Sequence, residues 1–277
     1  MVKVADGMLY KNTPVEDYTR DFGLWVKRED LSCPPPGPPF SKTRGVYSHI
    51  ASLDDKVIGV LDTAHSQAGH AVARACEILG KKCINYYPVY KREGTPEPGG
   101  HEIRLAQKKA ADLGAELVGL QAGRSCILFH QAKKLTIAQG GYMMPNALKL
   151  MESVTETSTE VSKKMDFNNV IIPISSGTIA AGVIKGFHEL KMTPRFILHM
   201  GYSRSHEEVE KYVRSKSGAK DADIILIDEG YQYKDKSHAG SSPPFPCNDY
   251  YDLKAFRWWL MNRNVSVKGS TLFWNIG

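Results

Sequence analysis

The chain has 277 residues, room for one large domain or two small ones, and its 42% hydrophobic and 24% charged residues exclude a disordered or fibrous protein. A net charge of +6 is mildly basic and does not by itself mark a nucleic-acid binder. No apolar run reaches the ~20 residues that cross a bilayer, so no membrane partner is expected.

The start, Met1-Val2-Lys3-Val4-Ala5-Asp6-Gly7, lacks a signal-peptide core, so export by that route is not expected. Five scattered cysteines (Cys33, Cys76, Cys83, Cys126, Cys247) form no C-x-x-C pair. They fit a reducing cytoplasm and argue against a zinc site or a disulfide framework. No metal is assigned, since His199 and His206 have no neighbouring ligand pattern.

Near the amino end, Val26-Lys27-Arg28-Glu29-Asp30-Leu31 precedes a proline-rich turn, Pro34-Pro35-Pro36-Gly37-Pro38-Pro39, and then Phe40-Ser41-Lys42-Thr43-Arg44-Gly45. Proline fixes the backbone, so this turn should hold Lys42 in a defined place. Residues 57–61 read as a buried strand, followed by a helix over 69–79 that Gly80 ends. Cys83-Ile84-Asn85-Tyr86-Tyr87 is the next strand, and residues 94–100, rich in Gly and Pro, are a surface loop. A helix over 102–113, a strand at 116–118 and a helix over 127–138 follow, then a long helix over 147–164. Adjacent basic pairs (Lys81-Lys82, Lys91-Arg92, Lys108-Lys109, Lys133-Lys134) read as solvated helix faces or as a basic footprint for DNA.

In Asn168-Asn169-Val170-Ile171-Ile172-Pro173-Ile174 a short apolar run reads as a buried strand, followed by Ser175-Ser176-Gly177-Thr178 and a helix over 179–190. A turn opening a helix gathers free N–H groups, three hydroxyls lie in it, and Gly177 lets the backbone approach closely. Together they suit a phosphate monoester. An ordinary strand–turn–helix corner would read the same way. Strands at 196–199 and 224–227 flank a helix over 206–215. A helix over 250–261 and a strand at 271–274 end the chain. Alternating strands and helices indicate an α/β fold with mainly parallel sheets, whose ligands bind at the carboxyl ends of strands. Tyr250, Tyr251, Phe256, Trp258 and Trp259 have helical spacing, which favours core packing over base stacking.

A lysine held by a rigid turn, with a phosphate site elsewhere, is what a Schiff base with pyridoxal phosphate requires. Four segments in order then resemble the pyridoxal-phosphate enzymes of the tryptophan-synthase β type (fold type II). That family includes cysteine synthases, threonine deaminases and aminocyclopropane-carboxylate deaminases. Lys27 to Leu31 with Ser41 to Gly45 is similar to the family's lysine segment, which implies Lys42 as the Schiff-base residue. Thr63-Ala64-His65-Ser66-Gln67-Ala68-Gly69-His70-Ala71 is similar to the loop that grips the substrate carboxylate and the cofactor's phenolic oxygen. It implies substrate contacts for Thr63, His65, Ser66 and Gly69, and a cofactor contact for Gln67. Ser175 to Gly182 is similar to the phosphate loop, which implies cofactor contacts for Ser175, Ser176, Gly177 and Thr178. Tyr251-Asp252-Leu253-Lys254 resembles the Tyr-Glu-Gly-Lys segment of the cyclopropane deaminases. This implies Asp252 facing the pyridine nitrogen and Tyr251 near the substrate.

The resemblance implies two three-layer α/β domains with the cofactor in the cleft between them. The larger, cofactor-binding domain would take residues 1–44 and 145–277, the smaller, mobile one residues 45–144. It also implies a homodimer. The expected activity is a lyase, deaminase or decarboxylase acting through a Cα carbanion of an amino acid, with Lys42 as proton shuttle assisted by Ser66 or Tyr251. In the bland alternative Ser66 is a helix cap, Tyr251 a core aromatic and Asp252 a first-turn helix acid. The compact Pro-Gly-Pro-Pro-Phe-Ser-Lys segment resembles a bacteriophage branch whose members are implicated in acting on amino acids attached to modified DNA bases. Two further readings follow: a phage DNA-modification enzyme acting on such an amino-acid-modified nucleotide in DNA, and a silent binding protein on the same fold.

Overall fold

The computed structural model describes residues 2–4, 9–62, 66–89, 105–121, 123–237, 243–263 and 268–277. In chain order the strands and helices are β1 (Val2–Val4), β2 (Leu9–Lys11), β3 (Val15–Tyr18), α1 (Thr19–Phe22), β4 (Leu24–Arg28), α2 (Thr43–Ala51) and β5 (Val57–Leu61). Next come α3 (Ala68–Leu79), β6 (Lys82–Val89), α4 (Leu105–Asp112), β7 (Glu116–Gln121), α5 (Ser125–Ala138) and β8 (Tyr142–Met143). The remainder are α6 (Met151–Ser158), β9 (Asn169–Ile174), α7 (Thr178–Glu189), β10 (Arg195–Met200), α8 (His206–Ser217), β11 (Ile224–Ile227), α9 (Asp252–Asn262) and β12 (Thr271–Asn275). The chain divides into two compact units, one of residues 1–34, 39–45 and 151–277, the other of residues 35–38 and 46–150.

The first unit carries a six-stranded sheet in the order β11-β10-β9-β12-β4-β3, parallel except for β3. Side chains alternate across a strand, and here both faces are buried. Val170, Ile172 and Ile174 of β9 pack with Ile179, Val183 and Phe187 of α7, whereas Ile171 packs with Phe256 and Trp259 of α9. This is why β9 reads as a continuous apolar run. It also accounts for the aromatic residues of α9: Phe256 and Trp259 are core, and Trp259 Nε1 donates to the Phe22 carbonyl at 2.8 Å.

The second unit is a four-stranded parallel sheet in the order β7-β6-β5-β8. Ile84 and Tyr86 of β6 face Leu128 and Ala132 of α5. Asn85, on the opposite face, meets Gly69 of α3. Gly80, at φ +62°, ends α3 as the sequence indicates. The loop expected over 94–100 lies outside the described residues. Among the described residues no helix is long and apolar enough to cross a membrane.

The sequence reading passes over β1 to β4, α1, α2 and β8, and it overextends one helix. The long helix expected over 147–164 is α6 alone, eight residues. Ser158 Oγ and Thr159 Oγ1 each bond the carbonyl three residues back, at 2.8 Å, competing with the helix ladder. Glu160 then turns inward to accept from the backbone N–H groups of Asn12 and Thr13, at 2.8 and 3.0 Å. Strand β4, by contrast, carries no strand signal at its charged end, yet Lys27 and Arg28 complete it.

Lys27 is tolerated there because a closed ionic network surrounds it. Its Nζ donates to Glu160 at 2.7 Å and to the Thr13 carbonyl at 2.6 Å. Arg44 reaches Glu160 at 3.0 Å and also pairs with Glu29. Burial alone would raise the Glu160 carboxyl, but Arg44 and Lys27 hold it below its ordinary value. Two cations balance two anions, so removing one leaves a buried charge unpaired. Glu160→Gln is expected to cost about 3–5 kcal/mol in urea unfolding, against less than about 1 kcal/mol for the exposed-pair variant Lys82→Gln.

Candidate active site

Parallel strands place their carboxyl ends on one edge of the first unit's sheet, where the turns after β9, β10, β11, β12 and β4 gather. The lysine turn joins that edge, since the Ser41 backbone N–H donates to the Ile276 carbonyl just past β12. Lys42, 5% exposed, precedes α2, and its Nζ lies 3.0 Å from Ser176 Oγ and 5.5 Å from the centre of the Phe40 ring. Residues 134 apart in sequence thus meet at the turn that precedes α7.

That turn has the geometry an anion needs. Gly177 caps α7 at φ +84°, a conformation that side chains with a Cβ rarely adopt, and a Cβ there would meet Val213 at 3.0 Å. Ser176 Oγ and Thr178 Oγ1 lie 2.9 Å apart, and Thr178 Oγ1 lies 3.0 Å from the Tyr212 hydroxyl. The first-turn N–H groups of α7 point the same way. Ser175 contributes its carbonyl to Arg204 and a side-chain hydrogen bond to Tyr251.

Tyr251 is partly buried, and burial pushes its phenol up to about 12, so it stays a neutral donor. It packs on the backbone of Gly201 after β10, where a Cβ would lie 2.3 Å from its Cδ1. Lys254, one turn on in α9, donates to the Gly201 carbonyl at 2.5 Å. Asp252 is fully buried, and burial pushes its carboxyl up to about 7. One oxygen accepts from the Ile276 N–H at 2.9 Å and the other from the Asn248 N–H at 3.3 Å. Each oxygen retains a lone pair for one more donor.

In the second unit, Ser66 Oγ accepts from the Ala68 N–H at 2.9 Å, a local turn contact one residue before the N-cap of α3. Gln67 stands at the N-cap position of α3, and its Oε1 is buried without a hydrogen-bond partner among the described residues. Gly69 lies in the first turn of α3, and a Cβ there would meet Asn85 Nδ2 at 2.3 Å. His70 Nε2 lies 2.9 Å from the Pro36 carbonyl, and burial holds its pKa below the ordinary value. Thr63 and His65 lie outside the described residues.

The structure therefore joins Lys42, Ser175, Ser176, Gly177, Thr178 and Tyr251 in one contact chain, with Asp252, the first residue of α9, bonded to the Ile276 N–H just past β12. Three residues of this cluster carry no sequence signal: Tyr212, Arg204 and Gly201. Tyr212 reads as one more residue of a polar helix, and the others lie in a loop whose position only the sheet order determines. A cavity of about 560 Å³ on the same unit opens at the opposite edge, among Trp25, Lys27, Glu160, Phe167 and Ser270. It is set apart from the lysine.

A phosphorylated aldehyde fits this edge: a buried amine, two hydroxyls, a left-handed glycine, a helix N-terminus and a buried carboxyl. The match of residues 8–220 to the family model described as pyridoxal-phosphate dependent enzyme agrees, and the chain belongs to that family. Its cofactor is pyridoxal phosphate. Over 282 aligned residues, covering 98% of this chain and all of the relative, it is 46% identical to the glycyl-dTMP PLP-dependent decarboxylase of Pseudomonas phage M6. Its fold is similar to that of an ACC deaminase homologue, with a TM-score of 0.77 and 17% identity over 98% of this chain and 90% of that one. It is likewise similar to maize serine racemase, with a TM-score of 0.67 and 13% identity over 96% of this chain and 87% of that one.

Proposed function

We propose that the protein removes the carboxyl group of a glycyl unit carried on a thymidylate nucleotide, with pyridoxal phosphate held at the carboxyl edge of the first unit. The observation that carries the site is the buried Lys42 amine 3.0 Å from Ser176 in the phosphate turn. The reaction type is supported by the 46% identity to a glycyl-dTMP decarboxylase.

In this reading Ser176, Thr178 and the first N–H groups of α7 hold the cofactor's phosphate, and Lys42 holds its aldehyde carbon. Once bound, the cofactor supplies an electron sink for the pair released when a bond at the substrate's Cα breaks. The Lys42 amine would carry the proton that replaces the departing carbon dioxide on Cα. Tyr251, protonated and fixed between Ser175 and Gly201, donates a hydrogen bond on the substrate side. Asp252 takes the ring nitrogen, and its ionised form favours the protonated ring. Ser66, Gln67 and Gly69, with Thr63 and His65, are proposed to take the substrate and the cofactor's phenolic oxygen. The proposed division of labour assigns residues 1–44 and 145–277 to the cofactor and 45–144 to the substrate. A homodimer in the cytoplasm of a host cell is part of the same proposal.

The test is an assay of the cofactor-loaded protein on glycyl-dTMP, following carbon dioxide release and product mass. Loss of carbon dioxide with one proton gained at Cα is the expected result. Ammonia or pyruvate-type keto products would replace the decarboxylase reading by a deaminase, and turnover of free amino acids alone would remove the nucleotide.

A further inference from the structure

One of the basic pairs in the second unit, Lys81-Lys82, does not present free charge. Lys81 Nζ donates to the carbonyl of Ile50, and Lys82 pairs with Glu116 at 2.7 Å. The first unit offers a cation for an anionic nucleotide beside the turn after β9. Arg204 is half-buried in the loop after β10, donates to the Ser175 carbonyl, and has no carboxylate partner among the described residues. Its guanidinium carbon lies 5.4 Å from the centre of the Tyr202 ring. Tyr202 meets Tyr233 edge-to-face, with ring centres 5.2 Å apart, and Tyr233 is 37% exposed. The two loops are tied by the Ser203 N–H, which donates to the Tyr231 carbonyl at 2.8 Å. Arg204, Tyr202 and Tyr233 all lie close enough to Tyr251 to act on its phenol electrostatically. The nearby Asp228 carboxylate accepts from Ser203 Oγ and the Gly230 N–H, and lies 3.2 Å from His206 Nε2.

A planar cation lying over one ring, with a second ring exposed beside it, has the chemistry that recognises a nucleotide: guanidinium to phosphate, aromatic face to base. We propose that Arg204, Tyr202 and Tyr233 are the substrate's nucleotide subsite, Arg204 taking a phosphate of the thymidylate and the tyrosines a base. The inference rests on the decarboxylase reading and adds the residues that select a nucleotide over a free amino acid. Adjacent turns of one sheet then carry the two recognitions, the cofactor's phosphate after β9 and the nucleotide after β10 and β11.

The test compares glycyl-dTMP with the phosphate-free nucleoside glycyl-thymidine on cofactor-loaded wild type, Arg204→Ala, Arg204→Lys and Tyr233→Ala. Losing a charged hydrogen bond to phosphate should raise KM for glycyl-dTMP about tenfold or more in Arg204→Ala. KM for the nucleoside and the visible-absorbance titration with pyridoxal phosphate should not move, and Arg204→Lys should restore part of the loss. Binding of a fluorescein-labelled oligothymidylate, read by anisotropy, distinguishes a strand phosphate from that of a free nucleotide. If a strand is the source, Arg204→Ala should lower the salt slope by about one and Lys133→Ala/Lys134→Ala should leave it unchanged. If the mononucleotide is the source, only the KM effect is seen. Equal KM changes for nucleotide and nucleoside would overturn the proposal, as would weakened cofactor binding in Arg204→Ala. A wild type that turns over neither compound would instead overturn the decarboxylase reading.

Discussion

Replacing Lys42 by alanine is expected to lower turnover by about 10⁴-fold or more, because in the proposed site one side chain serves as both the covalent anchor and the proton carrier. The fold should survive. Lys42 Nζ bonds a hydroxyl that keeps a second partner, Thr178. The phosphate turn is also intact in the variant, so pyridoxal phosphate should still bind, but without a covalent link. Wild-type protein should show a visible band that borohydride bleaches with permanent attachment of the cofactor, and Lys42→Ala should release it on denaturation. A variant that retained both the borohydride-fixed cofactor and its activity would move the anchor to another lysine.

Asp252→Asn is expected to reduce kcat roughly a hundredfold while leaving cofactor uptake measurable, because a fixed charge facing developing charge is worth about 10²–10³ in rate. The same variant has a stability signature in the cofactor-free protein. Burial raises the folded-state pKa of Asp252 from 3.8 to about 7, so between these values the folded protein holds a proton that the unfolded chain has released. Stability should therefore fall as pH rises from about 4 to 7 and level off above, by roughly 4 kcal/mol for this group alone. Asp252→Asn should remove that slope, since the amide does not titrate. Urea midpoints for the two proteins across this range are the measurement. Parallel curves would mean that Asp252 is already ionised in the folded protein.

The turn after β9 and the setting of Lys42 were legible because each depends on consecutive residues. An apolar strand, a Ser-Ser-Gly-Thr turn and a helix specify a local anion site, and Gly177 adopts the positive φ that such a turn requires. The resemblance also rested on Lys27-Arg28-Glu29-Asp30, yet these side chains do structural work. Lys27 and Glu29 close the network around Glu160 and Arg44, and Arg28 grips Asp30 and Glu16. A motif can therefore mark the right segment while its own charges serve the scaffold behind the lysine.

The overextended helix at 147–164 shows the limit of local reading. Its residues favour helix, but Glu160 gains more from Lys27, 133 residues away, than from another turn. Arg204, Tyr202, Tyr212 and Tyr233 were silent for the same reason. Nothing near them in the chain distinguishes them from ordinary surface residues, and they matter because β9, β10 and β11 lie side by side.

The sequence by itself determined the α/β class, the order of the main strands and helices, and the Ser-Ser-Gly-Thr turn that opens α7, since hydrophobic period and turn chemistry act over a few residues. Only the tertiary structure decided which distant groups meet: Lys42 with Ser176, Tyr251 with Gly201, and Arg204 with Ser175. Those meetings depend on sheet order and on the burial of charge against charge, which no stretch of chain encodes alone.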